Sequence, residues 1–130
     1  VDRFKLINDT FGHHNGNFTL NKIASLIKDA VRESDIPFRY GGDEFAVILP
    51  ETGAEAKVVA SRIVAAVDEA YASEGIDPSL KPGLSAGVAY RGPEKPLSAS
   101  LLISFADEAL YKAKRAKTRV ELSALGEKPR

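Results

Sequence analysis

Across residues 18–31 the apolar side chains Leu20, Ile23, Ala24, Ile27, Ala30 and Val31 recur at three- and four-residue steps. That is one face of an amphipathic helix, and Asn17 stands where its N-cap belongs. Pro37 ends the pattern. Residues 38–40 and 45–49 read as short strands on either side of Gly41-Gly42, a hairpin with a Gly-Gly tip. After Gly53, the residues Val58, Val59, Ile63, Val64 and Val67 line a second helix that runs to near Gly75. Pro78 and Pro82 mark a loop, residues 84–90 alternate as a strand, and Gly92-Pro93 turns the chain. Ser98 then caps a third helix carrying Leu101, Leu102, Phe105, Ala109 and Leu110, and residues 119–122 form a last strand.

Helices and strands thus alternate around a hairpin, which predicts an α/β fold, an α+β sandwich with helices packed on a sheet. One domain is expected over residues 1–123, followed by a tail at 124–130. The sequence opens at Val1 in a turn-like segment, with no leading strand to fill the middle of the sheet. It is therefore expected to begin inside the domain.

Composition narrows the function. The chain has 130 residues, 44% hydrophobic and 28% charged, ample for a real core. Its 18 basic and 18 acidic side chains cancel, so the basic face that a nucleic-acid polymer demands is not expected. A nucleotide needs only a few placed cations. Zero cysteines exclude thiolate metal sites, disulfides and a cysteine nucleophile. No apolar run is long enough to cross a bilayer and no basic-then-apolar leader opens the chain, so the expected location is the cytoplasm without membrane contact by this domain. His13 and His14 lack the spaced partners of a zinc site and read as turn residues.

The chemistry concentrates at Arg39-Tyr40-Gly41-Gly42-Asp43-Glu44-Phe45. Two glycines let a backbone approach a ligand closely. The two acids that follow can hold a hard divalent cation against phosphate charge. A plain solvated turn uses the same residue types, so context must decide. The stretch Asp2-Arg3-Phe4-Lys5-Leu6-Ile7-Asn8-Asp9-Thr10-Phe11-Gly12-His13 precedes the turn, and Phe105-Ala106-Asp107-Glu108-Ala109-Leu110-Tyr111-Lys112-Ala113-Lys114 follows it.

Together, in this order and spacing, the three motifs resemble the GGDEF domains of diguanylate cyclases nearly end to end. The resemblance implies a nucleotidyl-cyclase or palm-like fold, a central mostly antiparallel sheet flanked by helices. It also implies a reaction in which two GTP molecules, one on each domain of a homodimer, condense to cyclic di-GMP and release two pyrophosphates. Such chemistry asks for positioning and charge stabilisation rather than a covalent nucleophile. By the family pattern Asp43 and the carbonyl of Val1 ligate Mg2+ (or Mn2+), and Glu44 sits beside the metal and the attacking 3′-hydroxyl. Backbone amides of Arg3, Phe4 and Lys5 cradle phosphates, Gly41 and Gly42 admit the nucleotide, Lys5 and Lys114 neutralise phosphate, and Asn8 and Asn17 meet guanine. Members are normally fused to an upstream sensory or receiver domain, through which other domains can tether them to a membrane.

Three departures from the pattern stand out. The family's first metal aspartate belongs immediately before Val1. Asn17 occupies a position where the family usually has a guanine-binding aspartate, and an amide turns a donor where guanine already donates. After Lys114 the ending is one residue short, so a phosphate-binding arginine falls on Thr118 and that role stays unassigned. Arg32-Glu33-Ser34-Asp35 resembles the family's inhibitory RxxD site for the cyclic di-GMP product, with Arg62 in a place similar to a second arginine of that site. Three functions therefore compete: a cyclase, a catalytically degenerate module that senses cyclic di-GMP or GTP, and a cyclase with altered base choice through Asn17.

Overall fold

Gly12, with φ of 92°, separates two helices, α1 (Phe4–Phe11) and α2 (His13–Ala30). In the computed structural model, which describes residues 1–92 and 97–123, the opening segment is thus helical rather than turn-like. Phe4, Ile7 and Phe11 recur at helical steps along it, although only Ile7 is buried and Asn8, Asp9 and Thr10 are weak helix formers. α2 likewise begins before Asn17. Gly12 is its N-cap residue, and Asn17 lies exposed one turn inside it rather than capping it. The apolar stripe misses this start because the buried positions there are Gly16 and Thr19.

Strands β1 (Ile36–Gly41) and β2 (Glu44–Ile48) pair antiparallel as the expected hairpin. α2 ends at Ala30, before Pro37, which lies within β1 opposite Val47. The hairpin is followed by α3 (Ala56–Ala72), a 3-10 turn at Pro78–Leu80 capped by Asp77, and β3 (Ala86–Val88). Then come α4 (Ala99–Ala116) and β4 (Val120–Leu122), which runs parallel to β3. Ser98 caps α4 as expected, its side chain accepting from the Leu101 amide at 3.2 Å. Val58, expected on the buried side of its helix, is 64% exposed, and Leu101 is 47% exposed. The predicted tail and Pro93 lie outside the described residues.

The chain divides into two compact units, residues 1–50 with 62–84, and residues 51–61 with those from 85 onward. The first unit holds α1, α2, the hairpin and most of α3. Its core is Ile7, Leu20, Ile23, Ile27, Val67 and Tyr71. Lys22 on α2 lies 4.3 Å from the centre of the Tyr71 ring and 2.8 Å from Glu74 Oε2. The Glu74 hydrogen bond raises the pKa of Lys22, and burial raises that of Tyr71. In the second unit α4 packs onto β3 and β4. A Cβ on Gly87 would overlap the Ala106 carbonyl oxygen and the Leu110 amide nitrogen. Glycine is what lets the helix backbone lie on the strand, with Ala109 and Ala113 buried as α4 small residues.

Candidate functional site

β1 and β2 do not run in simple register to the hairpin tip. Arg39 pairs with Phe45 and Gly41 with Glu44, so Tyr40 is the extra residue of a bulge. Gly42 and Asp43 form the turn. Arg39 donates to the Gly42 carbonyl through Nε at 3.0 Å and Nη2 at 2.5 Å. Neither Gly41 nor Gly42 has a positive φ, and a Cβ on either would meet nothing within 4 Å. Neither the backbone conformation nor the chain's own packing demands glycine at these positions. What their missing side chains leave is open space over the turn.

The Val1 nitrogen donates to the Asp43 carbonyl at 2.8 Å. The opening segment, 42 residues earlier in the sequence, therefore lies against the turn. Asp43 is half-buried and Glu44 exposed. Among the described residues no three His, Cys, Asp or Glu side chains are grouped as a metal cage. The adjacent carboxylates of Asp43 and Glu44 are nonetheless hard oxygen donors of the kind that holds Mg2+ together with substrate phosphates, and they fit such an ion.

α1 begins beside this turn segment. Arg3 adopts the left-handed conformation at φ 61° and ψ 16° and offers α1 no side-chain cap. That conformation costs a non-glycine residue about 1–2 kcal/mol. Its Nε donates to the Lys81 carbonyl at 2.9 Å, and Asp2 bridges to Gly83, which together fix the entry to the helix. The first amides of α1, on Phe4 and Lys5, have no carbonyl one turn back within the helix and point out of its N-terminus. The Lys5 side chain is 91% exposed, 3.5 Å from Asp9. Asn8 on α1 reaches α2, where its Nδ2 lies 2.8 Å from His13 Nδ1 and its Oδ1 fills the place of the missing Gly16 side chain. Asn17 follows Gly16 directly, exposed. His13 and Gly16 are contacts that sequence reasoning missed, since their relation to Asn8 depends on the helix break at Gly12.

The second cluster lies past the end of α2. Asp35 accepts from the Arg32 amide at 2.8 Å, from Arg32 Nε at 3.4 Å and from Nη2 at 3.1 Å. Its side chain is 1% exposed while that of Arg32 is 58% exposed. These hydrogen bonds hold the Asp35 carboxyl below its ordinary pKa, with the nearby charge of Arg62 adding to them against the opposing effect of burial. Arg32 Nη2 also donates to the Pro50 carbonyl at 3.2 Å. Arg62 donates to the Ala30 carbonyl at 3.2 and 2.9 Å, closing the C-terminus of α2. Arg32, Asp35 and Arg62 are thus brought together within the first unit. Lys114 belongs to the second unit, exposed in the last turn of α4. Thr118 donates to Glu121 at 2.6 Å.

Known proteins resemble this chain in sequence and in fold. A family model described as diguanylate cyclase, GGDEF domain, matches residues 1–119. The chain is 43% identical over 126 residues to diguanylate cyclase DosC of Escherichia coli strain K12, covering 94% of this chain and 26% of that protein. It is 39% identical over 128 residues to diguanylate cyclase A of Treponema denticola, covering 95% and 33%. The chain therefore spans about a quarter to a third of the length of these relatives. Among solved structures, the GGDEF domain of DgcB from Caulobacter crescentus in complex with c-di-GMP matches at a TM-score of 0.74 and 34% identity, covering 94% of this chain and 72% of that one. The active GGEEF domain of a diguanylate cyclase from Vibrio cholerae matches at 0.76 and 30%, covering 94% and 77%. On sequence and fold alike, the chain belongs to the GGDEF domain family of diguanylate cyclases.

Proposed function

We propose that this domain condenses two GTP molecules into cyclic di-GMP, each molecule held by one copy of a homodimer. The observation that carries the reading is the pair Gly41 and Gly42, whose missing side chains open onto empty space next to Asp43 and Glu44. A turn that needs glycine for neither strain nor packing keeps it for a ligand. In each half-reaction a 3′-hydroxyl oxygen bonds to the opposite nucleotide's α-phosphorus, the bond to the pyrophosphate oxygen breaks, and pyrophosphate leaves. Asp43, with the Val1 carbonyl, would hold a divalent cation. Bound there, Mg2+ or Mn2+ supplies charge neutralisation to the phosphates.

The chain's own groups do the rest. Glu44, exposed beside Asp43, takes the proton of the attacking hydroxyl. Amides of Arg3, Phe4 and Lys5 receive phosphate oxygens at the start of α1, with the exposed Lys5 side chain as a counter-charge. Asn8 and Asn17 meet the base. The left-handed Arg3 fits this role, because strain of that kind gathers where backbone groups serve a ligand. Arg32, Asp35 and Arg62 form the product site. Since Asp35 is buried against Arg32, its part there is first to aim that guanidinium.

The test is turnover of labelled GTP by the full-length protein with Mg2+, alongside Asp43→Ala and Gly42→Ala. Both variants should keep the wild-type melting temperature, as an exposed turn contributes little to a core. Both should lose cyclic product by at least about a hundredfold, Asp43→Ala on the scale of losing a transition-state charge contact and Gly42→Ala because its methyl group enters the space left for the nucleotide. A folded, dimeric wild type that yields no cyclic product would discard the cyclase reading. Retained binding of cyclic di-GMP in that case would favour the second reading, a sensing module, for which the preformed Arg32–Asp35 pair is the supporting observation.

A further inference from the structure

Asn8 is held from two sides by α2. Its Nδ2 lies 2.8 Å from His13 Nδ1, a contact in which the amide donates when the imidazole is protonated on Nε2. On the other side its Oδ1 occupies the space over Gly16. A Cβ there would overlap that oxygen and come within 3.2 Å of Phe4 Cζ. Gly16 is buried and does not have a positive φ, so room for Asn8 is what its missing side chain provides.

These two contacts do more than join helices. A carboxamide turned by half a revolution exchanges donor for acceptor, and a free one samples both faces. Here the acceptor at His13 holds the NH2 group on one side, and the slot at Gly16 receives the oxygen on the other. One Nδ2 hydrogen and the lone pairs of Oδ1 are left in a fixed order. We propose that His13 and Gly16 are positioning residues for base recognition, holding Asn8 in the single orientation that reads the edge of a purine nucleobase. The inference rests on the assignment of Asn8 to nucleotide binding made above. It gives a task to His13, a residue otherwise expected only in a turn.

The substitutions separate positioning from folding. In Gly16→Ala the new methyl group meets the end of a flexible side chain, so Asn8 moves while the helix pair stays. His13→Ala removes the acceptor. His13→Asn restores one, since the Asn carbonyl oxygen sits near the place of Nδ1. We would measure binding of non-hydrolysable GTP and ATP analogues to the full-length protein and these three variants, with melting temperatures and the NMR resonances of the Asn8 side-chain amide.

The expected result is GTP binding about tenfold weaker in His13→Ala and Gly16→Ala, roughly the loss of one hydrogen bond. The GTP-to-ATP ratio should fall by a similar factor, and His13→Asn should recover most of both. The Asn8 amide resonances should shift in the two weakened variants and return in His13→Asn. Unchanged Asn8 resonances in His13→Ala would overturn the positioning role whatever the nucleotide data. So would a lower melting temperature with an unchanged GTP-to-ATP ratio, which is what a helix lock alone predicts. A wild type that holds Asn8 as described but binds no GTP would instead bring down the nucleotide reading, and the recognition role with it.

Discussion

Asn17 and Asp35 show how much a side chain's surroundings decide. The structure removes the capping explanation for Asn17, which sits exposed inside α2. A carboxylate there would offer guanine's two adjacent donors acceptors only, whereas the amide meets one of them with a donor. Asn17→Asp should therefore strengthen binding of a GTP analogue by about 1–2 kcal/mol and widen the preference for GTP over ATP. The fold should be indifferent, since Asn and Asp have similar helix propensities. Equal GTP-to-ATP ratios in both proteins would count against Asn17 as a base contact. Asp35 gives a pH prediction. Its pKa is lowered by Arg32 first and by Arg62 in support, so its stabilising effect is present above the unfolded value of 3.8 and is lost as pH falls through the lower folded value. The melting temperatures of wild type and Asp35→Asn, compared from about pH 7 down to about pH 2.5, should converge at the acid end. A gap that stays constant would mean that the carboxylate's charge is not what holds Arg32.

Among the elements, the meeting of α4 with β3 is the most sharply constrained. Gly87→Ala would drive a methyl group into the backbone of α4 at Ala106 and Leu110. Backbone cannot swing aside as Asn8 can, so the cost should be about 1–3 kcal/mol or more of overpacking, read as a lower denaturation midpoint with an unchanged slope. Gly41→Ala, with open space around it, is the contrasting control and should leave the midpoint alone. This contrast also shows what the sequence could reveal. Gly41 and Gly42 were legible as a site because acids and a motif surround them. Gly87 was not, because its partner is a helix about twenty residues further on. The capped α4 and the hairpin were legible because Ser98 and the Gly-Gly tip are local signals. α1 carries its own short repeat at Phe4, Ile7 and Phe11, but its eight residues open at the strained Arg3 with no capping side chain, so no local start signal marks it. The early start of α2 was hidden for a related reason: Gly16 and Thr19 are buried there without being apolar in the way a periodicity search requires. The motif residues of the candidate site were named from sequence. The contacts that orient them, from Arg39 to Gly42 and from His13 to Asn8, cross breaks in secondary structure that periodicity does not report.

At the scale of the whole molecule the proposed reaction needs two copies, because each nucleotide must meet the α-phosphorus of the other. Specific activity should therefore rise with protein concentration until the dimer is saturated. The product site proposed at Arg32 would let the product slow the reaction. Arg32 is 58% exposed yet already aimed, by two bonds from its guanidinium to Asp35 and a third to the Pro50 carbonyl. A planar fork held in this way meets a phosphate or a guanine edge with little further ordering. Removing it should not unfold the protein, for the Arg32 amide keeps its own 2.8 Å bond to Asp35 when the side chain is gone. Arg32→Ala should thus weaken cyclic di-GMP binding by about tenfold or more, the loss of a charge-assisted contact, and should abolish late slowing of the reaction by product. The initial rate should match the wild type, since Arg32 is not among the groups proposed to hold GTP. Arg32→Lys separates charge from geometry: it keeps the cation but loses the fork, and should bind nearly as weakly as the alanine variant. Calorimetry with cyclic di-GMP and progress curves with GTP on the three proteins read these effects. If all three bind the product equally, Arg32 serves only to neutralise the buried Asp35, and inhibition must arise from another surface.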